Sequence, residues 1–222
     1  GTFKSMERAK IDPPIFGHSA SSQRVACKQV YSKAEGLQVV QQPSLEAQTK
    51  ELSMDVLCTQ WAAALLELCY DFIEEQSEIT GDAQFVIPRL RYVRAALAVT
   101  ASADNGTRPQ QVFMLEELID PKVEGEWRKY INNDSAEPII QDSRKANEAA
   151  EFLAFCQHVQ YLKTGKLAFV TDFQGGLSLL SDPQIITHPE LGQLFGKGNL
   201  GQTHATFELD HSCNKFCQHF GI

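Results

Sequence analysis

The chain has 222 residues, 43% of them hydrophobic, which is enough for one large domain or two small lobes. A formal net charge of −8 argues against a basic surface for nucleic acid or for an anionic membrane. The sequence has no run of about 18 apolar residues, so we expect no membrane span. Its six scattered cysteines are too few for a disulfide-stapled secreted domain, and they predict free thiols and a cytoplasmic location.

The first part of the chain predicts a strand followed by one long helix. Val25, Val30 and Tyr31 favour a strand that ends near residue 31. Ser44 is placed to cap a helix that ends near Glu75. Spacings of three and four residues give this helix one apolar stripe, formed by Leu57, Trp61, Leu65, Leu68 and Phe72.

Extended segments follow this helix. Residues 84–99 predict strand-like backbone that is interrupted at Pro88, and residues 112–119 predict a further strand. An Asn105-Gly106 turn signal lies between the two segments. The composition changes after the second segment, so we expect two lobes that meet near residue 116.

The second half of the chain predicts a polar, loop-like segment over 120–145 and a helix over about 147–163, which ends before Gly165. Residues 167–172 predict a strand. Loops are expected after it, up to a short helix around 211–220. The apolar face of the longer helix consists of Phe152, Phe155, Val159 and Leu162.

An H-x-C-x3-C pattern near the end of the chain suggests a metal site. On a helix, Cys213 and Cys217 would face the same way about one turn apart, with His211 at the helix entrance. Thiolate and imidazole ligands suit a closed tetrahedral zinc site, which needs a fourth ligand. Two buried thiols and a surface histidine are the alternative interpretation. The spacing leaves four candidates for the fourth ligand: Cys156, His158, His204 and His219.

Four short motifs occur in order in the last third of the chain. They are Asp172-Phe-Gln174-Gly, Ser181-Asp182-Pro-Gln-Ile, Gly196-Lys-Gly198-Asn199-Leu-Gly201 and His211-x-Cys213-Asn-x-x-Cys217. Their order and intervals resemble those of the alpha-kinase family over about residues 150–222. The earlier segments VACKQVY, MLEEL and GEWRKY resemble family landmarks more loosely.

The resemblance implies an α+β, two-lobed, protein-kinase-like fold with a zinc-stabilised C-terminal lobe. The kinase domain would span 1–222, with an N-terminal lobe of 1–115 and a C-terminal lobe of 116–222. In the family, two histidines and two cysteines hold a structural zinc, and one histidine lies fourteen residues before the catalytic aspartate. Counted back from Asp172, this interval implies that His158 is the fourth ligand.

The resemblance also implies an ATP-dependent protein serine/threonine kinase that acts on a protein substrate. Lys28 would contact the ATP phosphates, and Asp172 would be the catalytic base or the group that orients the substrate. Gln174 and Asp182 match the family's magnesium positions, and oxygen ligands of this kind fit Mg²⁺. Asp182 would also be part of the ATP site.

Other family positions complete the implied site. Glu116 and Glu117 correspond to the hinge, where the main chain faces adenine and the side chain is expected to matter little. Lys129 resembles a residue that contacts the nucleotide, although a solvated loop lysine is an equal alternative. An acid from the long helix, Glu51 or Asp55, is expected to pair with the ATP lysine. The loop that shapes the substrate side contains Gly196, Gly198, Asn199 and Gly201.

One feature departs from the family pattern. The only phosphate-covering loop that the sequence offers, residues 16–20, ends eight residues before Lys28, which is a shorter interval than the family has. This departure favours an alternative in which a zinc-stabilised, inactive alpha-kinase fold serves as a binding module.

Overall fold

The structure, a computed structural model, describes residues 2–17, 22–33, 40–100, 110–192 and 194–222. The chain divides into two compact units, Gly1–Leu57 with Val93–Ile119 and Cys58–Tyr92 with Asp120–Ile222. This division has a boundary at 119–120, and the predicted lobes have theirs at 115–116. They differ over 58–92, which the sequence assigned to the first lobe. The predicted Asn105-Gly106 turn and residues 18–20 of the predicted phosphate loop lie outside the described residues.

The first unit is built on an antiparallel sheet. Its strand order is β1-β2-β6-β5, and β3 pairs with the last two residues of β2. Strand β2 contains the strand that the sequence predicted to end near residue 31. The strands of this unit are β1 Thr2–Ile11, β2 Gln23–Lys33, β3 Val40–Gln41, β5 Ala95–Val99 and β6 Val112–Glu117.

The long helix α1 spans Leu45–Thr80. It begins as predicted, because the Ser44 hydroxyl accepts a hydrogen bond from the Ala47 amide at 3.2 Å. In the first unit, Leu52 of this helix packs with the sheet residues Val30, Val112 and Met114.

The predicted apolar stripe of α1 is wrong at its first two positions. Leu65 and Phe72 are buried, whereas Trp61 is 51% exposed and Leu57 is 41% exposed. Each step of four residues turns the helix by about 400°, so a stripe written in such steps drifts off the buried face. The buried face in the second unit consists of Cys58, Ala62, Leu65, Leu66, Cys69, Phe72 and Ile73.

Helix α1 is also the one candidate membrane span in the described residues, contrary to the sequence-based expectation of none. Its most apolar stretch of 18 residues has a mean hydropathy of 1.3, and 50% of that stretch is buried within the protein. A core helix passes the same test of length and composition, so this feature is weak evidence for a span.

The second unit has two small sheets and four further helices. One sheet has the order β4-β10-β9-β7, and the other pairs β8 with β11. Its strands are β4 Arg91–Tyr92, β7 Arg128–Lys129, β8 Ala168–Thr171, β9 Gln174–Gly175, β10 Leu179–Ser181 and β11 Gln184–Thr187. Its helices are α2 Pro121–Glu124, α3 Arg144–Lys163, α4 Gly201–Asp210 and α5 Lys215–Phe220.

Helix α3 lies at the centre of this unit's core. It begins three residues before the predicted start, because the Ser143 side chain caps it at the Ala146 amide. On its predicted apolar face Leu162 is 43% exposed, and the other three residues are buried. Helix α4 was not predicted, since its sequence was interpreted as loop.

Candidate functional site

Lys28 lies on β2 in the first unit and pairs with a buried carboxylate. Its Nζ is 2.8 Å from Oε2 of Glu116 on β6, and the two side chains are 12% and 3% exposed. The Glu116 side chain thus forms a buried ion pair, whereas the expected role of this position involved the main chain. The register between β2 and β6 places Met114 opposite Lys28. The Glu116 carboxylate, two residues further along β6, therefore reaches Lys28 diagonally across the two strands.

The neighbouring acids of the first unit contact other cations. Glu117 binds Arg94, with 3.0 Å between Oε1 and the guanidinium, and it also accepts a bond from the Arg94 amide. Of the two helix acids expected near the ATP lysine, Asp55 lies 3.1 Å from Lys4 Nζ. The Lys28–Glu116 pair was missed because strand patterns show which face a residue occupies, not its diagonal partners.

Asp172 lies directly after β8 in the second unit, one residue beyond a strand that was predicted to include it, and it is 7% exposed. Its φ of +56° is in the left-handed region, which a residue other than glycine rarely adopts. The Lys129 ammonium lies 2.5 Å from Asp172 Oδ1. The structure thus brings Lys129, whose side chain is 40% exposed, to the predicted catalytic carboxylate.

Gln174 and Asp182 lie beside this carboxylate. The Gln174 amide nitrogen donates to Asp172 Oδ2 and to the main-chain oxygen of Asp182, both at 3.2 Å. Strands β7 and β10 flank β9 at this contact, since Gln174 pairs with Lys129 on one side and with Ser181 on the other. The structure therefore gathers Lys129, Asp172, Gln174 and Asp182 into one polar cluster, which we call the acid cluster.

Burial dominates the electrostatics of Asp172. Burial raises the pKa of this carboxyl, the Lys129 ammonium lowers it, and the charges of Asp182 and Asp134 raise it. The net pKa lies above the ordinary aspartate value. A cation beside these carboxylates would therefore be favourable, because it would offset their mutual repulsion.

A second cluster contains the four predicted zinc ligands, His158, His211, Cys213 and Cys217. One donor atom from each lies within 4.8 Å of the others. Cys213 Sγ is 3.8 Å from His158 Nδ1, and Cys217 Sγ is 3.7 Å from His211 Nε2. Zinc bonds of usual length in a tetrahedron separate sulfur from nitrogen by about 3.5 Å, so the four residues fit this ion.

The protonation states of the cluster also suit a metal. Burial lowers the pKa of His211 to about 4, with a smaller effect from His158, and burial lowers the pKa of His158 as well. Both imidazoles are therefore neutral at pH 7 and can donate a lone pair. Without a metal, burial raises the pKa of the Cys217 thiol to about 11, so metal binding would release its proton.

The other candidates for the fourth ligand have different partners. Cys156 is fully buried in the core of the second unit. The His204 ring contacts the main-chain oxygen of Lys166 at 2.8 Å, and the His219 ring contacts that of Gly81 at 3.3 Å.

The local structure around the cysteines differs from the prediction of one shared helix. His211 ends α4, and Cys213 precedes α5, which begins after Asn214. The Asn214 side chain caps α5, and its amide nitrogen donates to the Glu151 main-chain oxygen on α3 at 2.7 Å. This bond fixes the start of α5 on the helix that carries His158. An asparagine just before the helix was the sequence signal for it.

The predicted substrate loop is tied to β11. The Asn199 side chain bonds with Thr187 and with the Gly192 main-chain oxygen. Residues Gly196–Gly198 form a short 3-10 turn, and Gly201 begins α4. A Cβ atom at Gly198 would lie 2.7 Å from the Gln184 side chain, so this glycine permits close packing on β11.

The chain is similar to known kinases in sequence. The model of the alpha-kinase family matches residues 1–217. Eukaryotic elongation factor 2 kinase of Mus musculus is 35% identical over 114 residues, which cover 51% of this chain and 14% of that protein. Myosin heavy chain kinase B of Dictyostelium discoideum is 35% identical over 104 residues, 46% of this chain and 13% of that protein. The match thus spans a small part of each curated relative.

The fold is similar to that of solved alpha-kinase domains. The domain of myosin-II heavy chain kinase A in complex with AMP-PNP has a TM-score of 0.56 at 20% identity, covering 96% of this chain and 70% of that chain. The complex of that kinase domain with AMP has a TM-score of 0.53 at 19% identity, with coverages of 94% and 72%. The predicted α+β, kinase-like fold is therefore confirmed.

Proposed function

The chain belongs to the alpha-kinase family, and on that basis we propose that it transfers the γ-phosphate of Mg-ATP to serine or threonine hydroxyls of a protein. The acid cluster is the observation that carries this proposal. Within the second unit it gathers a buried carboxylate, a lysine and two further residues with side-chain oxygen atoms. Phosphoryl transfer needs this set of charges for positioning and for charge stabilisation.

In the proposed reaction, Asp172 orients the substrate hydroxyl and accepts its proton. The hydroxyl oxygen forms a bond to the γ-phosphorus, the bond from that phosphorus to the bridging oxygen breaks, and ADP leaves with the electron pair. Burial raises the pKa of Asp172 above the ordinary value, which makes its carboxylate a better proton acceptor. Its left-handed backbone and its bond from Gln174 hold the carboxylate in one orientation.

Magnesium fits the oxygen donors of Gln174 and Asp182. The Gln174 amide nitrogen is engaged with protein acceptors, so its amide oxygen is the atom left for a cation. When bound with ATP, Mg²⁺ would neutralise phosphate charge during transfer. We assign Lys28 to the ATP phosphates, with its ammonium oriented by the ion pair with Glu116.

The phosphate-transfer test compares the wild-type protein with Asp172→Ala, using labelled ATP and a threonine-rich basic protein as acceptor. We expect the variant to lose activity by about 100-fold or more, because a positioned proton acceptor is removed. Asp142→Ala is a matched control, since that carboxylate is 71% exposed and pairs with Arg128 outside the acid cluster. Equal incorporation by the wild type and Asp172→Ala would refute the kinase proposal. Separate serine and threonine peptides test the acceptor.

We also propose that the His158–His211–Cys213–Cys217 cluster holds a structural zinc. Four protein ligands leave no open position, so the ion would bridge α3 and the α4–α5 segment without taking part in the reaction. Metal analysis should find about one zinc per chain. Cys213→Ala should lose the zinc and make the second unit sensitive to protease, while Cys27→Ala in the first unit should retain it. A stable, zinc-free wild-type protein would contradict this assignment.

The remaining expectations are also proposals. A reducing compartment such as the cytoplasm suits the free thiols, and the described cysteines are all unbridged. A protein is the expected partner and nucleic acid is not, given the charge of −8. The inactive binding module is not favoured, because the first unit retains Lys28 and the second unit retains Asp172, Gln174 and Asp182.

A further inference from the structure

Two buried glutamines occupy the outer edge of β8. This strand pairs with β11 on one side, where Val170 lies opposite Ile185. On the other side, Val170 donates its amide hydrogen to Gln160 Oε1 at 2.8 Å and accepts a bond from Gln157 Nε2 at 2.9 Å. All three residues are fully buried. The two amides thus make the bonds that a neighbouring strand would make at this position.

The glutamines are themselves anchored to rigid elements. They lie three residues apart on α3, which places them on one face of the helix. Gln160 Nε2 donates to the Leu65 main-chain oxygen on α1 at 3.2 Å. The pair therefore connects the backbone of β8 to two helices. We call Gln157 and Gln160 the amide clamp.

Stability alone gives a poor account of this clamp. Gln157 Oε1 is buried and has no hydrogen-bond partner among the described residues. A buried oxygen without a partner is costly, and an apolar side chain would avoid that cost. The Gln157 amide, with one hydrogen-bonded atom and one buried atom without a partner, therefore points to a requirement that β8 be held in a fixed position.

The residue that needs a fixed strand is Asp172, two positions beyond Val170. Its φ of +56° is sparsely populated and persists only if the surrounding structure imposes it. Thr171 adds one restraint, since its hydroxyl donates to the Asn132 main-chain oxygen at 2.7 Å. We propose that Gln157 and Gln160 are positioning residues that hold β8, and through it the Asp172 carboxylate, in register with Lys129 and Gln174. This inference rests on the proposed kinase function.

The test uses methionine, which has a similar length and no amide. In Gln157→Met with Gln160→Met, we expect kcat to fall about 10-fold or more with KM for ATP within about 2-fold, because the restraint acts on the reacting carboxylate. Hydrogen exchange of the amides of residues 170–173 should become faster, while the zinc content stays unchanged. Phe155→Leu is the control, since its ring packs on Phe72, Phe216 and Phe220 of the same core.

The single variant Gln157→Met keeps the test valid if the double variant unfolds. It removes one clamp bond together with the unpartnered oxygen, so we expect it to fold while kcat falls and exchange at residues 170–173 rises. Unchanged exchange, or the same local change in Phe155→Leu, would overturn the clamp. If the wild type itself transfers no phosphate, the kinase proposal fails, and the exchange measurement still decides whether the clamp holds β8.

Discussion

The ion pair between Lys28 and Glu116 gives a quantitative test of the first unit. At 2.8 Å and an effective dielectric constant near 20, the two charges attract by about 6 kcal/mol. Desolvation of two largely buried side chains offsets part of this, so we expect a net coupling of about 2–4 kcal/mol. Lys28→Met and Glu116→Leu should each destabilise by about 3 kcal/mol, since each removes one member of a largely buried ion pair. The double variant should be much less destabilised than the sum.

Urea unfolding followed by far-UV circular dichroism measures this double-mutant cycle. The pair Lys4–Asp55 in the same unit is the control, with a similar distance of 3.1 Å but side chains 28% and 27% exposed. Its coupling should be below about 1 kcal/mol, because solvent screens exposed charges. A coupling for Lys28 and Glu116 no larger than that of the control would refute the reasoning.

Two further predictions concern the second unit. Lys129→Met removes the ammonium that lowers the pKa of Asp172, so that pKa should rise further. The acid limb of the pH profile of kcat, measured at saturating ATP, should therefore move to higher pH. An unmoved acid limb would show that Lys129 does not influence the group that titrates. Gly175→Ala should destabilise the second unit by several kcal/mol, about 3 or more, in thermal unfolding, because φ is +148° and the new Cβ would overlap the Leu179 carbonyl and lie 2.9 Å from Leu180 Cα. Gly165→Ala, which meets no atom within 4 Å, is the control, and equal losses would contradict the steric argument.

Local chemistry made much of the fold predictable. Ser44 before a helical pattern predicted the start of α1, and Gly165 predicted the end of α3. The apolar run before Asp172 predicted β8, with the carboxylate directly after it. Each of these signals acts over a few residues, where propensity and capping suffice.

The sequence-based predictions were wrong where contacts between distant segments determine the local structure. Trp61 fits the predicted apolar stripe of α1 but is exposed, because the core of the second unit packs against a different face of this helix. Helix α4 was predicted as loop because its sequence is rich in polar residues. Short helices depend largely on tertiary packing, and here Phe207 packs in a core with Tyr161 and Phe169.

The cluster of His158, His211, Cys213 and Cys217 shows most clearly what the sequence and the tertiary structure each decided. The sequence by itself determined three candidate ligands, because His211, Cys213 and Cys217 lie within seven residues, and the interval to Asp172 added His158 through the family resemblance. Only the tertiary structure brought His158 to the cysteines and placed Cys156, His204 and His219 elsewhere. The Lys28–Glu116 pair and the amide clamp were likewise decided by packing. Spacing along a chain determines which residues share an element, whereas contacts between elements depend on how their buried faces fit together.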